Sequence, residues 1–388
     1  MHLAAGDRMV TPISSANSPR PTPGPIFGAF GVNRIQGLDG LRAIAALLVF
    51  VEHKSTYSDL GLGGAGLLLF FILSGYLITS LLLADRRAIE IGTLSPKTAI
   101  LKFFASRSFR IFPAYYAMLL AWICVAVTLG HWVSKKWLIG YFTYTTNILS
   151  AHIFHKWAPL GHLWSLAVEE QFYIIAAPLF LLIPSRRARV VVAGFWVVGL
   201  MSWAVLAFQK EPLISFTTDS FINFAVLAIG SAFALSSPIR GGRNSWGVVG
   251  GLIALTAGTA LVVRLLPAQS MIHWVAAPAA ILLWMTLRNQ RSAVVRALEI
   301  TPLRWLGRVS YAFYLWHFWI SLQFLAPHVV ELGASPGLAA AAVFWAELLA
   351  TLVAAAVSWW LIEAPALKMR QRLLVPRPMK PVVAAASS

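Results

Sequence analysis

Apolar runs recur ten times along the chain, near residues 35–53, 63–84, 110–130, 164–183, 188–208, 219–236, 245–265, 271–287, 308–326 and 338–362. A bilayer crossing takes about 20 mostly apolar residues, and backbone within hydrocarbon must satisfy its own hydrogen bonds. The pattern therefore predicts an all-α fold, a polytopic integral membrane bundle of about ten transmembrane helices. The first run is the poorest of them. "GLDGLRAIAALLVFVEHK", residues 37–54, has an unbroken apolar core only from Ala43 to Val51, with Asp39 and Arg42 before it and Glu52 and His53 after it. Each ionisable group placed near mid-bilayer costs about 2.5–3.5 kcal/mol on insertion scales, so the run pays for something other than anchoring.

Between and around the runs the chain is polar. Residues 1–33 hold "SSANSPRPTPGPIFG" and read as a disordered Pro-rich cytosolic tail. They contain no continuous apolar h-region, so no cleaved signal peptide is expected. Residues 34–367 form the membrane domain, and 368–388 read as a second loose cytosolic tail. The widest external segment, 131–163, contains "KWLIGYFTYTTNIL", too short to span twice and suited to a re-entrant or interfacial element. Segment 85–110 carries the densest set of cations, and Pro113 fits the first turn of the third helix.

Composition agrees with a membrane protein: 59% of the 388 residues are hydrophobic, including 23 Phe and 16 Trp, with a mean hydropathy of +0.73. The net charge of +17 is unevenly placed. Of 31 Lys and Arg, 24 fall on one side of the predicted spans, against six on the other: Lys54, Lys135, Lys136, Lys156, Lys210 and Arg264. That bias is the positive-inside signature and places both termini in the cytoplasm. Basic loops suit contact with anionic membrane lipid, and no nucleic-acid motif accompanies them. The single Cys, Cys124, sits in an apolar run and reads as a packing residue.

The polar groups inside the runs follow helical spacing. At 100° per residue Arg42 and His53 share a face to within about 20°, about 16 Å apart along the axis, with Asp39 near the same face and Glu52 roughly 80° away. Asp39 can pair with Arg42 and lower its burial cost. "GHLWSLAVEEQFY", residues 161–173, places Trp164 and Ser165 at a helix start, with Ser165, Glu169 and Phe172 on one face. Two adjacent carboxylates, Glu169 and Glu170, cannot both face lipid. Ser310, Tyr314 and His317 form a further i, i+4, i+7 stripe. Ser74-Gly75, taken alone, reads as a small-residue packing pair. Arg107 and Arg110 read either as ordinary basic flanking or as guanidinium forks for phosphate. His152, His155 and His162 have a spacing unspecific for zinc, and no metal is expected.

Together these stretches resemble acyltransferase family 3, the mostly bacterial membrane-bound O-acyltransferases. "RIQGLDGLRAIAALLVFVEH" is similar to the family's first span, with its Arg and His separated by ten residues. "FFILSGYLIT", "RSFRIFPAYY", "LWSLAVEEQFY", "SYAFYLWH" and "WWLIEAP" resemble further motifs, in the family's order. The resemblance implies transfer of an acyl group, usually acetyl, from an acyl-CoA co-substrate to a hydroxyl of a carbohydrate or other glycosylated acceptor, in the bacterial cytoplasmic membrane, with no permanently bound cofactor. It implies His53 as catalytic base, Arg42 as its partner in the same stripe, and Arg107 and Arg110 at the coenzyme A phosphates. Glu169 lies at the motif's Glu. Asp39 or Glu169 suits charge balance, Ser165 or Tyr314 the oxyanion, and Ser74, His317 and Trp164 the pocket wall. Some family members carry an extra C-terminal hydrolase-like domain that the 388 residues do not include, which leaves the acceptor open between an envelope polysaccharide and a small glycosylated metabolite such as a macrolide. A transporter or flippase would also use buried Arg, His and Glu, but the inverted repeats it predicts are not evident.

Overall fold

The computed structural model describes residues 34–55, 61–130, 133–236 and 271–374, of which those from 35 onward form one unit. Its long helices are α1 (Leu38–Lys54), α2 (Leu62–Glu90), α3 (Pro96–Thr128), α4 (Trp164–Leu182), α5 (Ala188–Phe208), α6 (Ser220–Ser236), α7 (Met271–Arg288), α8 (Thr301–Trp316), α9 (Pro336–Ser358) and α10 (Ala364–Leu374). No strand occurs among the described residues. The expected seventh run, 245–265, and the tail 1–33 lie outside them. Among the described residues five helical stretches, Leu62–Glu90, Pro96–Thr128, Gly161–Leu182, Ser185–Phe208 and Pro336–Leu374, are long and apolar enough to cross a membrane.

Local chemistry sets several boundaries. Ser95 caps α3 by accepting the Thr98 N–H at 3.1 Å, and Pro96 takes the first helical position, where its missing N–H costs nothing. Ser335 and Pro336 start α9 the same way, with the Leu338 N–H at 3.3 Å. The helix α3 thus begins well before residue 110, and Pro113 lies inside it rather than in its first turn. The run 308–326 is not one helix either: α8 ends at Trp316, and His317 begins an irregular stretch. At the C-terminus α10 continues to Leu374, past the expected boundary at 367, with Arg370 buried. Residues 375–388 lie outside the described set.

At the centre stands α2, packed against α1, α4, α6 and α7, while α1 is held between α2 and α8. At two of the closest crossings only glycine fits. A Cβ on Gly75 would meet the Leu227 carbonyl of α6, and one on Gly307 of α8 would meet the Asp39 carbonyl of α1. Backbones that close leave no room for any side chain. The core is apolar, and so is much of the outside: Val190, Val197, Met201, Val205 and Phe208 on α5 and Leu338, Trp345, Leu349 and Val353 on α9 are exposed. Continuous apolar faces turned outward from an apolar core mark a membrane protein, with lipid as the outer solvent. Cys124 is exposed on α3 and so is not a core packing residue.

Candidate functional site

The poor first span lines two adjoining pockets. One, enclosing about 490 Å³ including its open mouth, is walled by Arg42 of α1, Ser74 of α2, Arg107 and Arg110 of α3, Glu169, Glu170 and Tyr173 of α4, and Tyr311 of α8. The other, about 400 Å³, shares Arg42, Ser74, Leu166, Glu169 and Tyr311 and adds Phe70, Ser165, Ser310 and Tyr314. Arg42 and Glu169 are therefore the common wall between a guanidinium-rich chamber and one lined by hydroxyls and rings.

That wall is well braced. Glu169 accepts from Ser74 Oγ at 2.9 Å on one oxygen and from Tyr173 Oη at 2.9 Å on the other. Arg42 Nε donates to Ser310 Oγ at 3.3 Å, and Ser310 in turn donates to the Gly307 carbonyl at 2.9 Å. The carboxylates of Glu169 and Asp39 lie within electrostatic reach of the Arg42 guanidinium, as the stripe on α1 predicts. Adjacent Ser74 and Gly75 face opposite ways, Ser74 to the pocket and Gly75 to the α6 crossing, so the packing reading holds for only one of the pair.

His53 lines neither pocket. Its Nδ1 lies 3.0 Å from Nε2 of His317, with the two rings stacked at 5.2 Å between centroids, and Phe318 meets His53 edge-on at 5.3 Å. Nδ1 of His317 is 2.7 Å from the Tyr314 carbonyl. A carbonyl only accepts, so neutral His317 carries its proton on Nδ1 and offers the Nε2 lone pair; His53 must then donate from Nδ1. This leaves the Nε2 lone pair of His53 free, on a side chain that is exposed. The pair thus places one imidazole against another that is itself fixed by a backbone carbonyl.

The remaining predicted residues divide. Ser165 Oγ and Tyr314 Oη lie 2.6 Å apart and each lies within reach of the His162 carbonyl, at 3.1 and 2.8 Å; with one proton apiece, one hydroxyl donates to the carbonyl and the other donates to its neighbour. Both line the second pocket, and neither touches a histidine ring nitrogen. Trp164 packs edge-on against Phe71 at 6.0 Å and lines neither pocket. His152 and His155 turn to Asp219 at 3.4 Å and Glu211 at 3.3 Å, away from His162, whose ring is buried against Phe318 and His317. Among the described residues no group of three or more His, Cys, Asp or Glu is placed to hold a metal. Gln171 donates to the Tyr144 carbonyl at 2.8 Å and to Asn147 at 2.9 Å, tying segment 144–147 to α4.

Two charged residues were missed in the sequence reading. Glu363, on the π turn before α10, is buried within electrostatic reach of Arg110 and Arg42, and Arg370 on α10 is buried within reach of Arg107 and Arg110. A carboxylate inside the apolar "WWLIEAP" was the available signal for the first; nothing in the basic "KMRQR" distinguished the second.

The helix bundle thus sets a cationic chamber against a hydroxyl-lined one across a buried Arg–Glu wall. The acyltransferase domain of acyltransferase family 3 matches residues 35–363, and the chain belongs to that family. It is similar to the peptidoglycan O-acetyltransferase OatA of Listeria monocytogenes, 28% identical over 368 residues, covering 85% of this chain and 55% of that protein. It is also similar to the O-acetyltransferase OatA of Staphylococcus aureus, 28% identical over 380 residues, covering 85% and 57%. The chain spans about half the length of these curated relatives. No solved structure matches it.

Proposed function

We propose that the protein is a multi-pass O-acetyltransferase of the bacterial cytoplasmic membrane, with about ten spans and both termini inside, moving acetyl from acetyl-CoA to a hydroxyl of a cell-wall carbohydrate. The observation that carries the reading is the chain of contacts from the Tyr314 carbonyl through His317 to His53, which leaves one imidazole nitrogen free as a base.

A sugar hydroxyl is a poor nucleophile and needs its proton removed as it attacks. In the reaction His53 Nε2 takes that proton while the oxygen attacks the thioester carbonyl. Collapse of the tetrahedral intermediate breaks the C–S bond, and the proton passes from His53 to the departing coenzyme A sulfur. Arg107 and Arg110 hold the donor's phosphates as bidentate guanidinium forks. Arg42, braced by Ser310 and balanced by Glu169, stands where the pantetheine arm passes from the first chamber to the second. The roughly 16 Å from Arg42 to His53 along α1 fits an extended arm between the two ends. Relatives named for peptidoglycan acetylation support the acceptor class.

Right-side-out membrane vesicles loaded with [14C]acetyl-CoA test the reading. Label should appear on carbohydrate outside the vesicles, and His53→Ala should abolish it. An absolute requirement for external acetyl-CoA, or full transfer by the His53→Ala protein, refutes it.

A further inference from the structure

The break after α8 is held by a residue outside the site. Glu347 lies within α9, in a helix otherwise almost wholly apolar, and is 0% exposed. A carboxylate removed from water is costly unless its charge and lone pairs are met. Its partners come from two short segments. Oε1 accepts the Leu322 N–H at 2.7 Å, and Gln323 Nε2 lies 3.4 Å from each oxygen. Oε2 faces Lys54 Nζ at 3.8 Å, in a pair whose side chains are 6% and 0% exposed. Lys54 also donates to the Ile320 carbonyl.

One buried ion pair thus joins the residue immediately after His53 to segment 320–323, shortly after His317. His53 and His317 come from different helices, and the separation of their rings depends on how the chain flanking each is held. Replacing a buried ion pair with apolar residues is often neutral or stabilising, so stability alone is a poor reason for this one. Joining two flanks at a fixed distance is a better one. We propose that Glu347 is a positioning residue for acyl transfer, holding the His53–His317 contact through Lys54 and the 320–323 segment. The inference rests on the reading of His53 as the base.

The test uses the full chain in lipid nanodiscs, with [14C]acetyl-CoA as donor and an N-acetylglucosamine oligosaccharide as probe acceptor. Glu347→Gln keeps the size and an accepting oxygen but removes the charge. Its kcat should fall about 10²-fold, the scale of a misplaced catalytic group. KM for acetyl-CoA should stay within about twofold, because the guanidinium chamber is walled by other residues. Glu347→Asp, which keeps the charge, should recover at least about tenfold of the loss. Lys54→Met releases the same clamp from α1 and should show the same split, which keeps the test informative if Glu347→Gln fails to fold. Full kcat in both Glu347→Gln and Lys54→Met overturns the inference, as does a rise in KM that accounts for the whole loss. Full transfer by His53→Ala in the same assay would instead overturn the base assignment beneath it.

Discussion

Replacing His317 with Phe separates orientation from packing at the proposed base. Phe keeps an aromatic ring beside His53 but removes both nitrogens, and with them the contacts at 3.0 Å to His53 and 2.7 Å to the Tyr314 carbonyl. Two neutral hydrogen bonds contribute about 1–3 kcal/mol to stability together, so most of the protein should remain folded. The effect on rate should be larger. A general base held in place contributes about 10²–10⁴-fold, or about 2.7–5.4 kcal/mol of barrier. With His317 gone, His53 is free to rotate or to take the other tautomer. His317→Gln offers an oxygen to His53 and an amide N–H to the carbonyl, and should recover at least about tenfold. The assay is initial-rate transfer from [14C]acetyl-CoA, with kcat and KM measured separately in nanodiscs. A Phe variant within about threefold of wild type, or a Gln variant no better than Phe, would refute the dyad.

Arg110→Ala should raise KM for acetyl-CoA about tenfold with a smaller change in kcat, and the difference from wild type should narrow at high salt; an unchanged KM would remove Arg110 from the donor site. Ser74→Ala and Gly75→Ala should part company despite being neighbours. The first strips Glu169 of one of its two hydroxyl donors and should slow transfer with little change in thermal midpoint. The second forces a Cβ against the Leu227 carbonyl and should cost about 1–3 kcal/mol of stability, read as a lower unfolding temperature in detergent. Equal effects on both readouts would show that Ser74 also serves packing alone.

Periodicity made the stripes legible. Arg42, Glu169, Ser310 and Tyr314 reach common pockets because residues four or seven apart share a helix face and the faces turn inward. Charged residues in a first span too short in apolar length pointed to α1 directly. What periodicity could not supply was the pairing between helices. The spacing of His152, His155 and His162 gives no hint that the last alone is buried, by α8 and Phe318. Hydropathy also overran real boundaries: 308–326 is mostly apolar and reads as one helix, but the helix ends at Trp316. Glu363 and Arg370 depend on α10 and the turn before it folding back onto α3, a tertiary event whose one local signal is the carboxylate inside the apolar "WWLIEAP".

The early end of α8 has an electrical consequence. The last carbonyls of a helix have no N–H within it to bond, and here Tyr314 and Leu315 present theirs to the rings of His317 and His162. A continuous span through 326 would have used those carbonyls in its own ladder. Because the helix stops, its negative pole ends at His317 and His162. On the proposed mechanism, an imidazolium formed when His53 accepts a proton lies one ring away from that pole, across the 3.0 Å contact with His317, where a helix C-terminus favours positive charge by about 0.3–1 kcal/mol at a surface. On that mechanism the interrupted helix supplies, through His317, a fixed partial negative charge toward a cation that exists only during transfer.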